Sequence, residues 1–276
     1  MSCLTKSNTV LSGHYHSSKS QKKNKKKIMQ GNQTEPPLVV HLEGSVKVGI
    51  TTILKELSQI QPPGCRVHYM PAIEKHPLQN VIGEINWTAW KESHNGLGAC
   101  LVEMTNYITQ RCKNQIPLGT QMVVMNRSLG SLHKVFNSTK SVMIHRELED
   151  AIALNALFEA FNNLLERPHM VIYIQTDQTT QENRIGQSRR FPIETETLKD
   201  IGQLYEDYLK TMDPKVHILR LSTSTESVER TVTRAYMGIQ ELFLMDKLSE
   251  YVYIFPHLSD NILLYHNGIY FKTHGP

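Results

Sequence analysis

The sequence has no run approaching the roughly 20 apolar residues that a membrane-spanning helix needs. Met1 to Lys27 is polar and lacks the apolar stretch of a secretory signal. No membrane partner is therefore expected. Cysteine is scarce: Cys3, Cys65, Cys100 and Cys112 are the whole set, and none forms a C-x-x-C pair. That argues against a disulfide framework and fits free thiols in a reducing compartment. The 13 histidines include no pair at metal-ligand spacing on a helix, so no structural metal is expected. Acids are missing from the first 30 residues, which hold Lys6, Lys19, Lys22, Lys23, Lys25, Lys26 and Lys27. Setting these seven aside leaves 23 bases against 26 acids, so the net +4 becomes −3 for the rest. An acidic body argues against nucleic acid spread over the folded surface. The lysine-rich tail is too polar to fold by itself. A run such as KKNKKK can be a nuclear-import signal, a nucleic-acid contact or a solvated leader. The location expected is intracellular, either cytoplasmic or nuclear.

What is present is a chain of 276 residues, enough for one large α/β domain. Pro36-Pro37 ends the tail. Short apolar runs at Leu38–Leu42, Arg66–Met70, Gln121–Met125, Met170–Ile174 and Val216–Leu221 read as strands. Helical patterns lie between or after them, at 51–59, 97–111, 147–165, 179–190, 195–209 and 226–248. Residues 71–96 carry no decisive pattern. Alternating strands and helices predict a parallel sheet covered on both faces, with ligands beyond the C-terminal ends of its strands. Ile262–Tyr265 and Ile269–Lys272 flank His266-Asn267-Gly268, and Asn-Gly predicts a hairpin because both central turn residues need positive φ. The expected organisation is a tail over 1–35, a main domain over 36–250 and an extension with the hairpin over 251–276.

The most informative motif follows the first strand. Glu43-Gly44-Ser45-Val46-Lys47-Val48-Gly49-Ile50-Thr51-Thr52 follows the phosphate-binding-loop pattern G-x-x-x-x-G-K-[ST] at Gly44, Gly49 and Thr51. Glycines let backbone N–H groups close around phosphate oxygens, and the helix start adds positive potential. Ser45, Lys47 and Thr52 join the candidate phosphate contacts, and Thr51 is the candidate Mg²⁺ ligand. The lysine that should neutralise the phosphates is Ile50.

Further segments carry a family resemblance. Val171-Ile172-Tyr173-Ile174-Gln175-Thr176, then Arg184-Ile185-Gly186-Gln187-Ser188-Arg189-Arg190, resembles the fourth core strand and arginine-rich lid of the deoxynucleoside kinases. Leu204-Tyr205-Glu206-Asp207-Tyr208-Leu209 resembles the helix after the lid. Val123-Val124-Met125-Asn126-Arg127-Ser128 resembles the family's strand ending in acid-Arg-Ser, and Met70-Pro71 its Glu-Pro. The resemblance covers about 38–222. It implies a three-layer phosphate-binding-loop kinase fold with a lid, ATP and Mg²⁺ as cofactors, and a deoxynucleoside as acceptor. It also implies a homodimer through the helices at 97–111 and 147–165. Arg184, Arg189 and Arg190 would hold phosphates, and Arg127 would orient the substrate.

The departures fall on the chemistry. Met70 replaces the base and Asn126 the acid that helps hold Mg²⁺. Ser188 replaces a lid arginine, although Arg189 stands beside it. The glutamine that pairs with the nucleobase has no clear counterpart, and Leu101 falls near its place. Glu74 and Glu43 are the carboxylates that could substitute for the base. The expectation is a kinase-like protein with impaired phosphoryl transfer. Its alternative is a non-catalytic homologue that binds nucleotide or another protein.

Overall fold

A computed structural model describes residues 36–276 apart from 94–95, 145, 164, 166, 188–193, 255–261, 266–267 and 272–276. The lysine-rich tail, Arg189 and Arg190 therefore lie outside the described residues.

Five strands form one sheet: β1 (Leu38–Glu43), β2 (Val67–Tyr69), β3 (Met122–Asn126), β4 (Met170–Gln175) and β5 (His217–Ser222). Their spatial order is β2-β3-β1-β4-β5, and every pair is parallel. All six residues of β1 are buried because the strand is central and covered on both faces. This is why LVVHLE reads as an apolar run with little alternation.

On one face, Val40, Leu42, Val124, Ile172 and Ile174 pack against α1 (Ile50–Leu57) and α10 (Val228–Ile254). Ile50, Ile53, Leu54 and Leu57 fall on one stripe of α1 at helical spacing, and all four are buried. Truncating a fully buried residue here, such as Ile172→Ala, would cost about 2–5 kcal/mol. On the other face, α4 (Gly96–Lys113) and α7 (Leu148–Asn162) share a second cluster built on Cys100, Met104, Tyr107, Leu154 and Phe158. A third cluster joins Val171 and Tyr173 to Ile201, Tyr205 and Leu209 of α9 (Thr195–Lys210).

The segment without decisive pattern contains α2 (Pro77–Ile82) and α3 (Glu84–Lys91). Three short elements were not anticipated: α5 (Leu129–Ser131), a π-helical turn (Leu132–Phe136) and α6 (Lys140–Met143). The helix expected over 179–190 is α8, Gln178–Gly186, opened by an Asp177 side chain that accepts from Thr180 N–H. The last helix runs to Ile254, past the expected end at 248. β6 (Ile262–Tyr265) and β7 (Gly268–Phe271) pair antiparallel, as the Asn-Gly signal predicted.

Candidate functional site

The loop between β1 and α1 is forced into its path by contacts a side chain could not tolerate. At Gly44, φ is +155°, and an added Cβ would lie 2.4 Å from the Ile174 carbonyl oxygen and 2.9 Å from Val48 Cγ2. The loop thus crosses directly over β4. Lys47 (φ 60°) and Gly49 (φ 104°) are both left-handed, and Gly49 caps the start of α1. Alternation between left- and right-handed residues is what curls backbone N–H groups into an anion-binding nest.

The loop is braced through five consecutive carbonyls. Arg127 Nη2 donates to Gly44 O (3.3 Å) and Ser45 O (3.2 Å). Gln181 Nε2 donates to Val46 O (2.6 Å) and to Ser45 Oγ (2.8 Å). Arg184 Nη1 donates to Lys47 O (3.3 Å), and Thr223 Oγ1 to Val48 O (3.0 Å). With these carbonyls engaged, the loop's N–H groups are left for a ligand. Among the described residues, no backbone acceptor outside the elements pairs with the N–H groups of Val46, Lys47, Val48 or Gly49. The resulting cavity, about 490 Å³, is lined by Lys47, Gly49, Thr51, Thr52, Asn126, Arg127 and Arg184, among others.

Lys47, Thr51 and Thr52 are exposed at the loop and the first turn of α1, while Ser45 is buried beneath Gln181. Ile50 lines the cavity but is 5% exposed and packs into the core of the first face. Met70 is 3% exposed and clusters with Val39, Val123 and Met125. Arg127 is half-buried, with its guanidinium carbon 4.4 Å from the Phe136 ring centroid, so it serves first as a loop clamp.

Glu43 is fully buried. Its Oε1 accepts from Ser128 N–H (2.8 Å) and its Oε2 from the Tyr205 hydroxyl (3.2 Å). Burial pushes its pKa up, and the bonds from Ser128 and the Arg127 charge oppose that. This carboxylate holds β1, β3 and α9 together. Glu74 is exposed; its backbone N–H donates to Gln110 Oε1 (2.7 Å), and its carbonyl accepts from Asn106 and Gln110.

A second cavity, about 300 Å³, adjoins the loop and shares Asn126 and Arg127 with the first. Its lining includes Glu74, Lys91, Glu103, Asn106 and Tyr107. Lys91 Nζ pairs with Glu103 Oε2 at 2.9 Å, and Trp87 Nε1 donates to Glu103 Oε1 at 3.0 Å. Sequence reading missed Glu103, Asn106 and Lys91. The available signal was the polar stripe Glu103, Asn106, Tyr107 and Gln110, at i, i+3, i+4 and i+7 along α4. It also missed Gln181 and Thr223.

The parallel sheet, the loop over the end of β1 and the helix docked behind it are the architecture of a nucleotide-binding kinase. The deoxynucleoside kinase family model matches residues 40–241. The chain belongs to the deoxynucleoside kinase family. A comparison with curated proteins gives no match. No helix among the described residues is long and apolar enough to cross a membrane.

Kinases of this family generally use ATP and Mg²⁺, so the donor set of this family member bears on the metal. Mg²⁺ is usually held by one or two carboxylates together with substrate phosphates. The loop cavity offers the Thr51 hydroxyl and the Asn126 amide, whose Oδ1 is buried without a partner, but no carboxylate. No cluster of three His, Cys, Asp or Glu side chains suits a metal among the described residues. The residues present do not fit a carboxylate-held Mg²⁺.

Proposed function

We propose that this deoxynucleoside kinase homologue binds a nucleoside triphosphate in the loop and performs phosphoryl transfer to a deoxynucleoside 5′-hydroxyl poorly or not at all. The observation that carries the reading is the burial of Ile50 and Met70 at the positions of the lysine and the base. Neither side chain can neutralise phosphate or accept a proton. A lost general base costs about 10²–10⁴ in rate, and a lost electrostatic donor about 10²–10³. The two are not additive, but either one lowers a typical kinase turnover of about 1–100 s⁻¹ steeply. The backbone cradle does not depend on those side chains and supports binding.

The smaller cavity is the candidate for the nucleoside, with Glu103 and Asn106 as its hydrogen-bonding groups. The protein is proposed to be a homodimer. Ile144 at the end of α6, with Leu148 and Ile152 in the first turns of α7, are 76%, 71% and 60% exposed, which supports that reading. Free thiols at Cys65, Cys100 and Cys112 support a reducing, intracellular location. The test is equilibrium binding of a labelled triphosphate in Mg²⁺ buffer beside a deoxynucleoside phosphorylation assay. Binding without appreciable product is expected. Failure to bind any triphosphate with or without Mg²⁺ would overturn the reading.

A further inference from the structure

The loop cavity carries an unusual charge balance for a kinase site. Lys47, Arg127 and Arg184 all line it, and no carboxylate does. Among the described residues, none of the three is in an ion pair. Glu43, which precedes the loop in sequence, is fully buried with both oxygens already accepting hydrogen bonds. Position 126, at the end of β3, carries an amide where an acid would have attracted a metal ion.

Two of these cations, Arg127 and Arg184, are also held in place by the fold, not merely near the loop by composition. Arg127 is fixed by Gly44 O, Ser45 O and the Phe136 ring. Its Nε is buried with no partner. Arg184 is fixed by Lys47 O, Thr223 Oγ1 and Thr223 O. Guanidiniums held in this way present fixed positive charge to phosphate oxygens without a reorganisation cost.

We infer that the loop takes the phosphates of a nucleotide in its metal-free form, with Lys47, Arg127 and Arg184 supplying the charge that a divalent cation would otherwise bring. The inference rests on the nucleotide-binding reading above and departs from it only in the ionic form of the ligand. A divalent cation brought into this cavity would meet three positive groups and no compensating carboxylate. Binding without the metal avoids that repulsion. It also removes the ion that neutralises charge on the transferring group, in keeping with a site that binds and does not transfer.

The experiment is titration calorimetry of the full chain with ATP, once in EDTA and once in excess Mg²⁺, at equal ionic strength. The expected result is an affinity in EDTA equal to or tighter than that in Mg²⁺. Lys47→Gln, an exposed substitution that leaves the core intact, is expected to weaken binding in EDTA about tenfold. Asn126→Asp is expected to confer Mg²⁺ dependence: weaker binding in EDTA and recovery when Mg²⁺ is added. Binding at least about tenfold tighter in Mg²⁺ for the wild type would overturn this inference while leaving the nucleotide-binding reading in place. No binding in either buffer would overturn both.

Discussion

Arg111 Nη1 lies 3.6 Å from the sulfur of Met70, and both side chains are buried. Arg111 comes from α4 and Met70 follows β2, so the contact joins the helical layer to the sheet. The guanidinium also donates to Asn126 O at 2.7 Å and stands 5.0 Å from the Tyr107 ring centroid. No carboxylate pairs with it among the described residues. A buried charge with no counter-charge is costly, and breaking a buried pair costs more than replacing one with apolar groups.

A double-mutant cycle follows from that contact. Arg111→Met is expected to cost less in the wild type than in a Met70→Glu background, with a coupling of about 1.5–3 kcal/mol between the introduced carboxylate and Arg111. Urea unfolding of the four proteins measures it. Additive changes would show that the two positions do not interact.

His41 predicts a pH dependence. Its ring is buried beside Arg111, and Nδ1 has no partner. Burial, then the Arg111 charge, pushes its pKa from 6.5 down to about 3. The folded pKa lies below the unfolded one, so the contribution is fully present above about pH 6.5. It is lost progressively as pH falls toward 3, because the unfolded chain takes up the proton first. His41→Gln should therefore flatten the loss of stability between neutral and acid pH, whatever it does to stability at pH 7. Parallel slopes for the two proteins would contradict this.

The two loop glycines should differ in their tolerance of a side chain. Gly44→Ala drives a Cβ into the Ile174 carbonyl at 2.4 Å, and backbone there cannot give way cheaply. Gly49→Ala meets nothing within 4 Å and carries only the cost of a left-handed φ, about 1–3 kcal/mol. Thermal unfolding should rank Gly44→Ala as clearly the less stable. Equal losses would mean that the loop yields at β4.

The apolar row at Ile144, Leu148 and Ile152 predicts self-association. Sedimentation of the wild type should give a dimer at micromolar concentration, and Leu148→Glu with Ile152→Glu should give a folded monomer. A monomeric wild type would contradict the proposed assembly.

Much of the fold was legible because its core is simple. β1 and β4 are short, almost wholly buried runs, and the glycine-bracketed loop sits where chain order places it. The Asn-Gly dipeptide announced β6 and β7 for a local stereochemical reason. Residues 129–143 were not legible, because three short elements in succession are too brief to show a period. The braces of the loop were hidden for another reason. Gln181 and Thr223 lie 136 and 175 residues from their partners Ser45 and Val48, and each acts through a single polar atom. Glu43 is a related case. Its sequence position offered it as a possible base, whereas its burial beneath Ser128 and Tyr205 assigns it to structure.

The most direct test of the account is the phosphorylation of common deoxynucleosides by the wild type, beside a variant carrying Ile50→Lys, Met70→Glu and Asn126→Glu. These groups act as a unit, so recovery should need all three. Wild-type turnover is expected below about 0.01 s⁻¹, a hundredfold under the low end of the 1–100 s⁻¹ typical of kinases, with a measurable gain in the triple variant. Wild-type turnover near 1 s⁻¹ with any deoxynucleoside would contradict it.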